Sequence, residues 1–309
     1  MNRLINLLLL CMLGITSAIA ASDLPKPEVV KVNERVYALL GPLGLPSPEN
    51  QGYMVNSAVI IGKTGVILVD TGFTDEIGRH LNKTIQGITD KPVRHIINTH
   101  HHGDHVLGNV AFGKTDITSS EKARELVETT GAEWVGIVEN AVGRKFPNTK
   151  PVPATQTYPG PGRTEKTIDG VKMVFIVPKG SHTPGDLMVY LPEDKVLIAG
   201  DVMVNDIVPN FRDANAKNWI ATLDEAQKLP ARTIIPGHGP LARPADLTAM
   251  HARMASLYEG VEAGYKEGLT DTEIRQKLDL SDWKKLKNFD EQMGPTINRI
   301  YLEVEAANF

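Results

Sequence analysis

The stretch Thr99-His100-His101-His102-Gly103-Asp104-His105 sets four imidazoles and a carboxylate side by side, directly after the apolar run Val93 to Asn98. The run predicts a strand, and the histidines fall at its C-terminal end, where sites of α/β sheets are built. Crowding these side chains together is costly unless a positive ion sits among them.

Three later blocks repeat the arrangement. Ser181-His182-Thr183-Pro184-Gly185-Asp186 places a histidine in a turn beside a predicted strand. Gly200-Asp201 ends the run Val196 to Ala199, and Pro236-Gly237-His238-Gly239 follows Thr233 to Ile235. At His100, His102, Asp104, His105, His182, Asp201 and His238 the four blocks supply five imidazoles and two carboxylates, enough for two metal ions that share one carboxylate. A donor set of nitrogen and oxygen without sulfur suits zinc best, with iron and manganese as the other candidates.

Outward from these blocks the chain reads as strands and helices in alternation. Val29 to Val32 and Val36 to Leu40 form one predicted hairpin, and Ser57 to Ile61 and Val66 to Val69 another through Gly62-Lys63-Thr64-Gly65. Ile77, Leu81 and Ile85 mark one face of a helix. Val171 to Val177, Leu187 to Leu191 and Val196 to Ala199 read as strands, and Ala216 to Lys228 as a helix. After Pro244 the spacing is wholly helical, from Leu247 through Tyr265 to Val304, with Thr270 and Glu273 as a capping box. Two β-rich halves with interspersed helices predict sheets packed face to face with helices outside. Two proline-rich stretches, Gly41 to Tyr53 and Pro147 to Thr164, read as long loops, either functional walls or solvated linkers.

Composition narrows the class. The chain has 309 residues, 41% of them hydrophobic, one cysteine and a formal charge of −4. It is too apolar for disorder, too poor in cysteine for a disulfide scaffold and not basic enough for a general nucleic-acid binder. Arg3, the apolar run Leu4 to Ile15 and Ala18-Ile19-Ala20 read as a secretory signal peptide over residues 1–20. Cleavage there removes Arg3 and Cys11 and leaves 32 basic against 37 acidic residues, with no thiol for catalysis, metal binding or disulfides.

On these blocks the chain resembles the metallo-β-lactamase-fold superfamily, over about Val29 to Leu241. The resemblance implies an α/β chain folded as a four-layer αββα sandwich, its catalytic domain at 21–241 and a helical extension at 242–309 packed on the core. It implies that His100, His102 and His182 hold a first metal ion, that Asp104, His105 and His238 hold a second, and that Asp201 bridges them. Asp70, in Val69-Asp70-Thr71-Gly72, matches the family's buried aspartate that orients ligand imidazoles. An aspartate at position 201, where lactamases typically carry Cys or Ser, is similar to glyoxalase II-type thioesterases, lactonases and the periplasmic zinc metallohydrolases associated with quinoprotein relay systems. The signal peptide and the helical tail fit the last group best.

The resulting expectation is a secreted or periplasmic dinuclear zinc hydrolase that uses a metal-bridging hydroxide on a thioester, lactone, lactam or similar acyl bond. Asp104 is the catalytic candidate, placed to aim the nucleophile. The centre keeps a residual positive charge, so the expected partner is an anionic or carbonyl-rich small molecule, with neither nucleic acid nor, after cleavage, membrane. Alternatives are β-lactamase as the principal activity and a mononuclear iron persulfide dioxygenase of the same superfamily. His105 and His238 argue against the dioxygenase, and the complete donor set argues against a non-catalytic binding module. Oligomeric state has no sequence signature. His101 is expected to point away from the metals, toward an outer layer or solvent, and His80, His95 and His251 to be ordinary surface or helix residues. Tyr53, Asn205, Phe211 and Trp219 are candidates for the pocket lining, with core packing favoured for Trp219.

Overall fold

The computed structural model describes residues 23–308, so the expected signal peptide lies outside the described residues. Two sheets form its centre. The first runs in chain order as β1 (Glu28–Lys31), β2 (Val36–Leu40), β3 (Ser57–Ile61), β4 (Val66–Val69), β5 (Val93–Ile97), β6 (Asp116–Ser120) and β7 (Gln156–Tyr158). Its early strands pair antiparallel as hairpins, and β4 through β7 pair parallel. The second sheet comprises β8 (Gly162–Ile168), β9 (Val171–Val177), β10 (Met188–Leu191), β11 (Val196–Gly200) and β12 (Thr233–Pro236), with β12 parallel to β11 at one edge.

Strand residues alternate between two cores, which explains runs that are apolar throughout. In β4, Ile67 and Val69 meet Phe175, Val189 and Ile198 between the sheets, while Val66 and Leu68 face outward onto Ile77, Leu81 and Val138. Those outer residues belong to α1 (Asp75–Gln86) and α3 (Glu121–Val142). On the far side, Leu197 of β11 and Ile234 of β12 pack against α4 (Ala216–Gln227), α5 (Pro244–Lys266), α6 (Asp271–Lys277) and α7 (Phe289–Ala307). The layers are therefore helix, sheet, sheet, helix, as the resemblance implies.

Local chemistry sets the helix ends. The Thr74 hydroxyl accepts from Ile77 N–H at the start of α1, and the Ser120 hydroxyl accepts from Ala123 N–H at the start of α3. Gly143, left-handed at φ +78°, ends α3. Met250, Met254, Ile274, Ile297 and Ile300 of the last three helices share one core with Trp219 and Leu223. The turn before α7 is tied to the loop after β11 by Val208 N–H to Lys287 O (3.0 Å) and Lys287 N–H to Asp206 O (2.9 Å). No helix among the described residues is long and apolar enough to cross a membrane.

The stretch Pro147 to Thr164 departs from its reading as a loop. It carries β7, the parallel edge of the first sheet, and the start of β8, the edge of the second. Its five prolines flank these strands rather than interrupt them, a placement that edge strands tolerate. Gly41 to Tyr53 contains neither helix nor strand, as expected.

Candidate metal centre

The parallel strands of both sheets end at one edge of the sandwich. Asp70 follows β4, the histidine stretch follows β5 and opens the short helix α2 (Gly103–Val106), Asp201 follows β11 and His238 follows β12. His182 arrives on the connection from β9 to β10. All seven candidate donors are buried and fall into two groups. His100, His102, His182 and Asp201 form one, and Asp104, His105 and His238 the other, with the donor atoms in each group within 4.8 Å of one another.

Distances within and between the groups are short. His182 Nε2 lies 3.1 Å from His102 Nδ1 and 3.4 Å from Asp201 Oδ2. His238 Nε2 lies 3.2 Å from Asp104 Oδ2 and 3.3 Å from Asp201 Oδ2, and His105 Nε2 lies 3.3 Å from Asp201 Oδ1. Asp201 thus faces both groups. His100 Nε2, His105 Nε2, Asp104 Oδ2 and Asp201 Oδ1 are buried without a hydrogen-bond partner. Stranding so many polar atoms is expensive in a folded chain, and a coordinated cation satisfies them together. The residues present therefore fit bound metal.

Partners behind the cluster fix the ring orientations. Asp70 stands in the left-handed region at φ +60°, a conformation worth about 1–3 kcal/mol of strain for a residue other than glycine. There its carboxylate accepts from Thr99 N–H (2.9 Å), the Thr99 hydroxyl (2.7 Å) and His105 Nδ1–H (2.7 Å). His238 Nδ1–H donates to Met54 O (3.0 Å), and His102 Nε2–H to Asp213 (2.8 Å). Each imidazole so held presents its other nitrogen to the cluster.

Electrostatics divides the histidines by position. Burial, with His105 and His102 as like-charged neighbours, drives His100 well below its ordinary range, and burial pushes His182 down to about 3. Burial also opposes a proton on His238, yet Asp201 and Asp104 outweigh it and lift that imidazole to about 10. His105 is raised in the same way against burial by Asp104, Asp201 and Asp70. Two buried carboxylates thus demand positive charge at the nitrogens of His105 and His238, the place a metal ion would take.

A cavity of about 190 Å³ opens over Asp104, His102, Asp201 and His238. Its walls are apolar, from Leu45, Met54, Phe73, Trp134, Ile137 and Val208, with the Arg212 guanidinium 5.1 Å above the Trp134 ring. Of the four candidates for the pocket lining, none is part of this wall, and Trp219 takes the core position favoured for it. Tyr53 and Phe211 are buried, and Trp219 is fully enclosed, donating Nε1–H to Val202 O (2.9 Å) and packing on the His182 ring. The Asn205 amide turns to Pro240 O. His101 does point away from the cluster but is buried against Trp134 and Asp213 rather than solvated. His80, His95 and His251 lie on α1, β5 and α5, outside the cluster. Asp213 and Arg212 carry no motif, and nothing in the sequence singles them out.

The chain belongs to the metallo-beta-lactamase superfamily, whose family model matches residues 50–238. It is 28% identical over 258 residues to a linear primary-alkylsulfatase from Pseudomonas sp. (strain ATCC 19151), covering 70% of this chain and 48% of that enzyme. The chain thus spans about half the length of that relative. Among solved structures, a metallo-beta-lactamase from Pontibacter korlensis matches with TM-score 0.60 at 22% identity, covering 74% of this chain and 99% of the other. The inverting sec-alkylsulfatase Pisa1 from Pseudomonas sp. matches with TM-score 0.66 at 20% identity, over 89% of this chain and 50% of its own.

Proposed function

We propose that this chain is a hydrolase holding two divalent metal ions, zinc by the chemistry of its donors, and cleaving an acyl bond of the thioester, lactone or lactam kind. The observation that carries the reading is the convergence of seven buried imidazole and carboxylate groups, four of their donor atoms unpartnered, beneath an open apolar cavity. His100, His102 and His182 would hold one ion, Asp104, His105 and His238 the other, and Asp201 both. Ions bound there would make water acidic enough to attack at neutral pH and would polarise a carbonyl. The protein supplies position. Asp70, Asp213 and the Met54 carbonyl keep the ring protons of His105, His102 and His238 on the outer nitrogens. Asp104, at the cavity floor, is placed to accept a hydrogen bond from the attacking water and aim it. Phe73, Trp134 and Ile137 keep bulk water from the reacting bond.

The reading includes export. Arg3, the run Leu4 to Ile15 and Ala18-Ile19-Ala20 support a cleaved signal and a periplasmic or secreted enzyme, and the remaining chain has no cysteine to oxidise there.

The test is metal analysis of the purified protein, as isolated and after reconstitution, followed by a panel of a thioester, a lactone, a cephalosporin, a phosphodiester and a primary alkyl sulfate. Two zinc ions per chain with turnover of one acyl class, lost in Asp201→Ala, is the expected result. One iron per chain with no hydrolysis overturns the proposal in favour of an oxygenase.

A further inference from the structure

The cavity over the cluster has a wall that the family match does not include. Asn288 and Gln292, at the start of α7, line it together with Arg212 from the loop after β11. Both lie beyond the matched residues 50–238. Asn288 is left-handed at φ +61°, and its side-chain nitrogen is buried with no hydrogen-bond partner. Its carbonyl accepts from Gln292 N–H (3.0 Å), which fixes the first turn of α7 against the cavity. Arg212 and Gln292 also line a second cavity of about 300 Å³, so both residues are shared by the two spaces.

Arg212 is exposed and forms no ion pair with a carboxylate among the described residues. Its guanidinium rests over Trp134, in a cavity that Ile137 and Leu45 also line. A cation steadied on an indole face keeps its outward N–H donors for an incoming oxyanion. The same cavity is walled by the apolar side chains of Leu45, Phe73, Trp134 and Ile137, and Gln292 lines it with a carboxamide able to donate a further hydrogen bond. The complement of such a surface is an amphipathic anion.

We propose that Arg212 and Gln292 form a subsite for an anionic group of the substrate, with the apolar part of that molecule laid on Trp134, Ile137 and Leu45. The helical extension thereby takes part in selecting the substrate. That the ligand is a substrate rests on the hydrolase reading. The binding itself does not require turnover.

The experiment is calorimetric titration of the zinc-reconstituted protein with octane-1-sulfonate, whose sulfonate is a weak metal ligand, and with 1-octanol as the uncharged counterpart. The sulfonate is expected to bind more tightly than the alcohol. Arg212→Met weakens the sulfonate about tenfold and the alcohol less than about twofold, Arg212→Lys recovers part of the loss, and Gln292→Leu costs about threefold. Zinc content and thermal midpoint are checked for each variant. Gln292→Leu and Arg212→Lys serve if Arg212→Met does not fold. No sulfonate binding, equal affinity for the alcohol, or sulfonate affinity unchanged in the folded variants overturns the subsite. Selective sulfonate binding without hydrolysis of any ester leaves the subsite standing and sinks the hydrolase reading instead.

Discussion

Asp70 and His105 are joined by a 2.7 Å hydrogen bond from Nδ1–H to the carboxylate, made by an aspartate whose backbone is held in the left-handed region. The strain is repaid by the placement of one imidazole. Asp70→Asn tolerates the same backbone but removes the charge behind His105. Zinc affinity at the site of Asp104, His105 and His238 is expected to fall about tenfold to a hundredfold, with the other site less affected. Competition against a chromophoric chelator reads the two affinities separately. Two unchanged affinities contradict the role given to Asp70.

Asp213 makes the matching bond to His102 across 111 residues of sequence. Asp213→Ala should weaken the site of His100, His102 and His182 by about tenfold and spare the other, the mirror image of the Asp70 variant. The same chelator competition decides it, and a variant that loses both ions equally would show that Asp213 acts on the whole fold.

Gly237, just before His238, leaves no room for a side chain: a methyl group there would overlap Asp201 Oδ1 and crowd the Asp201 and Gly200 backbone. Gly237→Ala must therefore move the carboxylate that faces both groups of donors. Bound zinc is expected to drop below one ion per chain while the far-ultraviolet circular dichroism stays that of the parent. Full zinc occupancy in the variant would refute this.

Asp186 braces the turn that carries His182, accepting from the residues on either side of it. Burial pushes its carboxyl up to about 6, although it accepts hydrogen bonds from Ser181 and Thr183. Because the folded value lies above the ordinary 3.8, the folded chain holds the proton more tightly than the unfolded chain. The stabilisation is complete below about 3.8 and is lost as pH rises through about 6. In metal-free protein, urea unfolding should favour wild type over Asp186→Asn progressively from pH 7 to pH 4, by up to about 3 kcal/mol. A difference that stays constant across that window rules the titration out.

The parts of this molecule legible in its sequence are those with a dense local signal. Strands β2 to β4 are readable because both faces are buried, so apolar side chains run unbroken between turn residues. The donors are readable because four of the seven crowd into one loop and the others follow apolar strands. Helix α3 escapes the same reading. Its buried stripe is Ala123, Val127, Gly131, Trp134, Val138 and Val142, where two small residues weaken the periodic signal. Asp213, Arg212 and Gln292 escape for a different reason. Each matters through a neighbour distant in the chain, and such contacts leave no trace in local spacing. Phe211, near the ligands in sequence, misled in turn, since it packs on Trp219 at 5.0 Å rather than lining the cavity over the cluster, whereas Trp219 takes the core position that its spacing favours.

Asp201, His182 and His238 come from the second sheet, and the histidine stretch comes from the first. An ion held between them is consequently a rivet through two halves that otherwise adhere by apolar packing and a few hydrogen bonds and ion pairs, such as Asn56 to Pro236 O and Arg35 to Asp194. Its removal should be felt far from the donors, as a thermal midpoint that rises with the logarithm of free zinc and falls under chelation. A midpoint indifferent to zinc would mean that the halves hold together without the rivet.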